Sequence, residues 1–158
     1  MSEIIVSEAK LQDAEKIGEI AFQSSLIHYK SVDNEFKEPS LHNQISYIKN
    51  SIIDKDILVL SAELDGKIAG YVVVYFNTYP EEYFKFHKRG FIGSIGVDEN
   101  CRGHGVGKAL LNGVESELKK RNILIIEIDV YSFNQTAEKL YDKLGYKDIK
   151  HYKRKFIK

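Results

Sequence analysis

From residue 96 to residue 108 the chain reads Gly-Val-Asp-Glu-Asn-Cys-Arg-Gly-His-Gly-Val-Gly-Lys, with glycines alternating at 103, 105 and 107. No other stretch constrains the fold as strongly. A strand pattern, Phe91 to Val97, runs into it, and the clearest helix pattern of the chain, Gly105 to Arg121, leaves it. In that helix Val106, Leu110, Val114 and Leu118 form one apolar stripe, while Glu115 and Lys119 can pair one turn apart on the wet side. Glycine lets backbone approach a ligand closely, and the first amides of a helix point outward unpaired along the dipole. The segment therefore has the form of a pyrophosphate cradle at a strand-to-helix junction, with Arg102, Gly103, His104, Gly105, Val106, Gly107 and Lys108 around the anion.

Two common nucleotide motifs do not fit. A P-loop requires four residues between its glycines and a hydroxyl residue after the lysine, whereas three residues separate Gly103 from Gly107 and Ala109 follows Lys108. A dinucleotide fingerprint requires Gly-x-Gly-x-x-Gly against a strand end. Here the spacing is Gly-x-Gly-x-Gly, and Asp98 to Arg102 intervenes.

The remaining elements follow from periodicity. Ile4, Ile5 and Val6 suit a short strand over Glu3 to Glu8, and helical spacing of Leu11, Ala14, Ile17, Ile20, Ala21 and Leu26 predicts a helix from about Gln12 to about His28. A second helix is expected over Leu41 to Ile52, after a polar loop. Ile57 to Ala62 and Ile68 to Phe76 form a hairpin about the Asp65-Gly66 pair, which favours a tight turn. Asn77 to Arg89 is aromatic and charged without a period and reads as a loop. Asn122 caps the long helix, Ile123 to Tyr131 is the next strand, and Gln135 to Leu144 is a helix closed by Gly145. Tyr146 to Ile157 is expected to add one or two strands. No repeat or linker marks a boundary, so residues 1–158 read as one domain.

Arg102, Gly105 and Gly107 satisfy an Arg-x-x-Gly-x-Gly signature, and Asn134 with Leu140-Tyr141-Asp142-Lys143-Leu144-Gly145-Tyr146 continues the match through the last third of the chain. In these motifs the sequence resembles the GNAT superfamily of acyl-CoA-dependent N-acyltransferases. The resemblance implies an α/β fold: a mixed, mostly antiparallel sheet splayed at a central parallel pair, with helices on both faces. It further implies acetyl-CoA as cosubstrate, its pantetheine arm along Ile95, Gly96 and Val97, and direct transfer of the acetyl group to a primary amine in a ternary complex. Tyr141 takes the position of the acid that protonates the leaving sulfur, although a packing role is the bland alternative. Asn134 takes the position of a residue that contacts pantetheine or orients a water, and it also suits an N-cap, with Ser132 and Gln135 a competing capping box. Asp129 stands where some members carry a catalytic glutamate. It is a methylene shorter, and by strand period it shares a face with Glu127.

For the acceptor, His28, Tyr29, Glu81 and Glu82 are candidate lining residues, the two acids suiting a cationic amine. The acceptor is expected to be a small molecule or a peptide. The rival readings are a coenzyme-binding sensor without turnover and a nucleic-acid binder working through the basic C-terminal end. Lysine plus arginine equal aspartate plus glutamate at 23 each, which opposes the second rival and any bias toward anionic membrane. The five histidines and single cysteine show no metal-ligand spacing, and the lone Cys101 with no apolar 20-residue run points to a reducing cytoplasm. Members of the superfamily often pair, so a homodimer is compatible with the resemblance.

Overall fold

The structure is a computed structural model describing residues 3–157. Strand β1 (Ile4–Glu8) leads through a short 3-10 turn into helix α1 (Ala14–Ser31), and helix α2 (Leu41–Ile53) follows. Strands β2 (Ile57–Leu64) and β3 (Lys67–Thr78) form the expected hairpin, with φ of 50° at Asp65 and 79° at Gly66, the left-handed pair that such a turn requires. Strand β4 (Lys88–Val97), helix α3 (Val106–Lys120), strand β5 (Ile126–Ile128) and helix α4 (Gln135–Lys143) complete the order.

The five strands form one sheet in chain order, antiparallel from β1 to β4 and parallel between β4 and β5. Parallel neighbours need a crossover, and α3 supplies it. Helices α1 and α2 cover one face; α3 and α4 cover the other. Strand β3 shows why both are needed: its neighbours Val72 and Val73 are fully buried, yet Val72 packs with Leu110, Val114 and Leu118 while Val73 packs with Ile17, Ile20 and Ile48. A strand covered on both faces loses its polar alternation, which is why this segment reads as a continuous apolar run.

Two features of β4 create the site. Val73 lies opposite Ser94 while Val74 lies opposite Ile92, so Gly93 is an extra residue, a bulge. The parallel ladder with β5 contains only Gly90–Ile126, Phe91–Glu127 and Ile92–Ile128. Beyond the bulge β4 continues to Val97 with no pairing to β5. The sheet is thus splayed.

Three expectations are corrected. The strand expected over Ile123 to Tyr131 is reduced to three residues, because its partner turns away at the bulge. Tyr146 to Ile157 contributes no strand: it follows the left-handed cap at Gly145 (φ 88°) and leaves Ile149, Tyr152, Phe156 and Ile157 exposed, without the burial that would favour pairing. As a consequence the parallel pair stands at one end of the described sheet rather than at its centre.

Because both faces of β3 are dry, Val72→Thr and Val73→Thr should each destabilise the protein by about 1–3 kcal/mol, the cost of burying a hydroxyl without a partner. Urea unfolding with an unchanged m-value would measure both losses. A neutral outcome at either position would mean that its face is not covered.

Candidate active site

The cradle begins where β4 ends. Asp98, almost fully buried, caps the 3-10 turn Glu99–Cys101 by accepting from the Asn100 amide at 3.1 Å, and it accepts from Lys16 Nζ at 2.8 Å. The lysine beside it holds the Asp98 carboxyl below its ordinary range, and the same bond raises Lys16. Two turns further along α1, Gln23 Oε1 accepts from the Glu99 amide at 3.0 Å. Helix α1 therefore clamps the entry to the cradle by two side chains.

Gly103 and Gly105 have φ of 79° and 88°, and Gly105 is the N-cap of α3 with no side chain bonded to the helix amides. The first intrahelical bond is Ala109 N to Gly105 O at 3.0 Å, so the amides of Val106, Gly107 and Lys108 lie in the uncapped first turn. The Val106 side chain is buried and anchors this turn in the core. His104 Nδ1 donates to the carbonyls of Arg102 at 3.0 Å and Cys101 at 3.3 Å, and Arg102 Nε donates to Val97 O at 3.4 Å. These bonds stiffen the loop. The Arg102, His104 and Lys108 side chains stay exposed around it.

Two of the glycines have packing reasons of their own. A side chain at Gly107 would come within 3.3 Å of Leu140 Cδ2, so its absence lets α4 close on the start of α3. At Gly96 a Cβ would stand 2.7 Å from Tyr71 Cε1 and 3.3 Å from Ile20 Cγ2, and the crowded-strand explanation holds on that face. Ile95 and Val97 face the opposite layer, partly buried with α3 and α4.

Helix α4 brings the second motif to the cradle. Asn134 is its N-cap, accepting from Ala137 N through Oδ1 at 3.2 Å, which assigns the cap to Asn134 rather than Ser132. Leu140 touches the Gly107 turn, and the next residue, Tyr141, is 8% exposed with its ring 5.6 Å from that of Tyr146. Burial pushes the Tyr141 hydroxyl up to about 12 and acts in the same direction on Tyr146. Tyr141 thus packs in the core with its hydroxyl protonated across the physiological range.

The two carboxylates of the β5 region differ. Glu127 is bound by Arg89 Nη1 at 2.5 Å, and that guanidinium stacks on Tyr79 at 4.6 Å and Phe84 at 5.0 Å. Two of the aromatics of the β3–β4 loop, Tyr79 and Phe84, thereby hold this ion pair. Asp129, one residue beyond β5, is exposed. Glu82 is exposed, and Glu81 pairs with His87 Nε2 at 3.2 Å on the same loop.

His28 proves to be the centre of a cluster that periodicity did not reveal. Its ring meets Phe36 at 6.0 Å, Tyr131 at 5.5 Å and Phe133 at 5.3 Å, all edge to face, while its Nδ1 donates to Ser24 O at 2.9 Å. Glu35 joins them: it accepts from the Tyr131 hydroxyl at 3.2 Å and pairs with Arg154. Tyr29, the next residue of α1, is partly exposed and stands outside this ring contact set. The available signal was weak, since Glu35 and Phe36 sit in what reads as a polar interhelical loop and Tyr131 and Phe133 flank a cap. Among the described residues no group of three or more His, Cys, Asp or Glu could hold a metal ion, and no helix is long and apolar enough to cross a membrane.

A splayed parallel pair, an uncapped glycine turn and an adjoining tyrosine helix define an arrangement that also has a sequence counterpart. The model of the acetyltransferase (GNAT) family matches residues 24–146. The chain belongs to this family. It is 32% identical over 92 residues to an uncharacterized N-acetyltransferase of Methanocaldococcus jannaschii, a stretch that covers 56% of this chain and 52% of that protein. The chain therefore spans about half the length of that curated relative. Among solved structures, a mutant of the BH1408 protein of Bacillus halodurans aligns with a TM-score of 0.86 and 26% identity over 97% of this GNAT chain and 99% of that one. A predicted acetyltransferase of Clostridium acetobutylicum, solved with acetyl-CoA, shares the fold at a TM-score of 0.71 and 19% identity, over 98% of this chain and 96% of that one.

Buried tyrosines give this GNAT domain an alkaline limit. Tyr71, Tyr141 and Tyr146 are each pushed up to about 12, chiefly by burial, against an ordinary value of 10.0. The folded protein holds these protons more tightly than the unfolded chain, so their contribution is complete below about 10 and lost as pH rises toward 12. Melting temperature followed with tyrosinate absorbance should fall through that window, and Tyr141→Phe should make the fall shallower.

Proposed function

We propose that this chain is an acetyl-CoA-dependent N-acetyltransferase that moves an acetyl group to a primary amine by direct attack. The observation that carries this reading is the edge of β4 from Gly93 to Val97 left unpaired by β5, followed through the Glu99–Cys101 turn by the uncapped amides of the Gly105–Lys108 turn. An amide-bearing arm fits the first as a surrogate strand, and a pyrophosphate fits the second as an anion at a helix start. Family membership and the relative solved with acetyl-CoA support the choice of coenzyme.

The coenzyme supplies the acetyl thioester. In this proposal Gly103 to Lys108 hold the pyrophosphate through backbone amides, with Arg102 and Lys108 adding positive charge, and Ile95, Gly96 and Val97 pair with the pantetheine. Asn134 keeps its amide nitrogen available for the same arm, because only its Oδ1 serves the cap. An alkylammonium must lose a proton before it attacks, and Asp129 takes that proton through water, Glu127 being held by Arg89. Tyr141 donates to the departing sulfur. Its raised pKa keeps it protonated, which suits a donor and excludes it as the base.

A second reading is a coenzyme-binding module without turnover, favoured by one observation: Tyr141 sits in the core as a packing side chain would.

Thiol release from acetyl-CoA across an amine panel separates the two. Tyr141→Phe should bind acetyl-CoA as the parent does, by calorimetry, while turnover falls about 10²-fold. Unaltered turnover would remove the acid role, and binding without release on every amine would favour the module. For the parent enzyme kcat should show no alkaline limb below about pH 10, since the Tyr141 proton is retained there.

A further inference from the structure

The cluster around His28 is built from three separate parts of the chain. His28 comes from the last turns of α1, Glu35 and Phe36 from the loop before α2, and Tyr131 and Phe133 from the turn between β5 and α4. Its position relative to the split is fixed by α1, because Ile20 lies against Gly96 on β4 and His28 lies eight residues further on, about 12 Å along the helix. The helix thus reaches from the open β4 edge to the residues that continue β5. Tyr131 lies two residues beyond Asp129, the base proposed above.

Its chemistry is that of a cation receptor. Glu35 is only 18% exposed and accepts from the Tyr131 hydroxyl, and Tyr131 packs edge to face with the neighbouring Phe36. It already holds a guanidinium: Arg154 approaches it through both terminal nitrogens, Nη2 donating to Oε1 at 3.2 Å. Arg154 is itself 44% exposed and belongs to a segment without helix or strand. The outer side of this pair is therefore open to solvent and to a competing cation.

We propose that Glu35, with Phe36, Tyr131 and Phe133, binds the second positive charge of a dicationic amine acceptor, and that Arg154 occupies this place until the acceptor displaces it. The inference rests on the acetyltransferase reading above and narrows its acceptor. The favoured substrate is a primary amine bearing a second ammonium or guanidinium group. A linear diamine and a peptide with a free N-terminus followed by arginine share this chemistry.

The test compares 1,8-diaminooctane, an N-terminally free arginine-containing tripeptide and n-octylamine as acceptors for the parent, Glu35→Gln and Arg154→Ala. The parent should prefer one or both dications, and Glu35→Gln should cut that preference about 10-fold, mainly in KM, consistent with loss of one charge-assisted contact. Arg154→Ala should lower KM for the dication a few-fold by removing a competitor. Whichever of the diamine and tripeptide responds identifies the source of the charge. Calorimetric binding of 1,8-diaminooctane and of the tripeptide, in the presence of coenzyme A, provides a readout without turnover. Glu35-dependent binding with no turnover would refute the enzymatic reading and keep the receptor. Turnover on n-octylamine with equal Glu35→Gln effects on all three acceptors, or none, would overturn the receptor and keep the enzyme. Parent-like melting and acetyl-CoA binding by each variant establish that it is folded.

Discussion

The end of parallel pairing at Ile92 and Ile128 is the constraint from which the site follows. A fully zipped β4–β5 ladder would satisfy its own backbone and leave nothing for a ligand. The bulge at Gly93 makes β4 bend, and the four residues from Ser94 to Val97 keep pairing to β3 on one side only. Unpaired amides and carbonyls are costly when dry, so such an edge is stable where water or a ligand can reach it. Openness here is a property of the hydrogen-bond ladder.

What keeps the opening from collapsing is packing on both faces. On one, Lys16 and Gln23 of α1 hold the turn after β4, and Ile20 covers Gly96. On the other, Leu140 of α4 rests against the first turn of α3 where Gly107 has no side chain. These contacts couple the two motifs of the sequence: the glycine turn and the tyrosine helix are neighbours because a methyl group fits where a Cβ is missing.

Much of this was legible in the sequence. The alternating glycines, the stripe Val106, Leu110, Val114, Leu118 and the Asp65-Gly66 turn are local signals, and local physics decided them. The C-terminal strands were not, because Tyr146 to Ile157 has strand-like composition and the decision depends on whether a distant edge is free. Arg89 and Glu127 illustrate a different limit. Thirty-eight residues separate them, and only the register Phe91–Glu127 brings them together, which withdraws Glu127 from chemistry and ties down Tyr79 and Phe84. The aromatic ring around His28 was hidden for the same reason: its members come from the end of α1 and from two separate loops, with no common period.

The chain-order arrangement of strands β2, β3 and β4 bears on how the protein is made. Each of these joins its neighbour across a short connection, so little loop entropy opposes that pairing, whereas β5 can dock only after α3 has folded over the sheet. A nascent chain leaving the ribosome would therefore hold a finished meander while its last third is still being added. The opening beside β4 is also the seam between strands joined by short connections and the strand reached only through the α3 crossover.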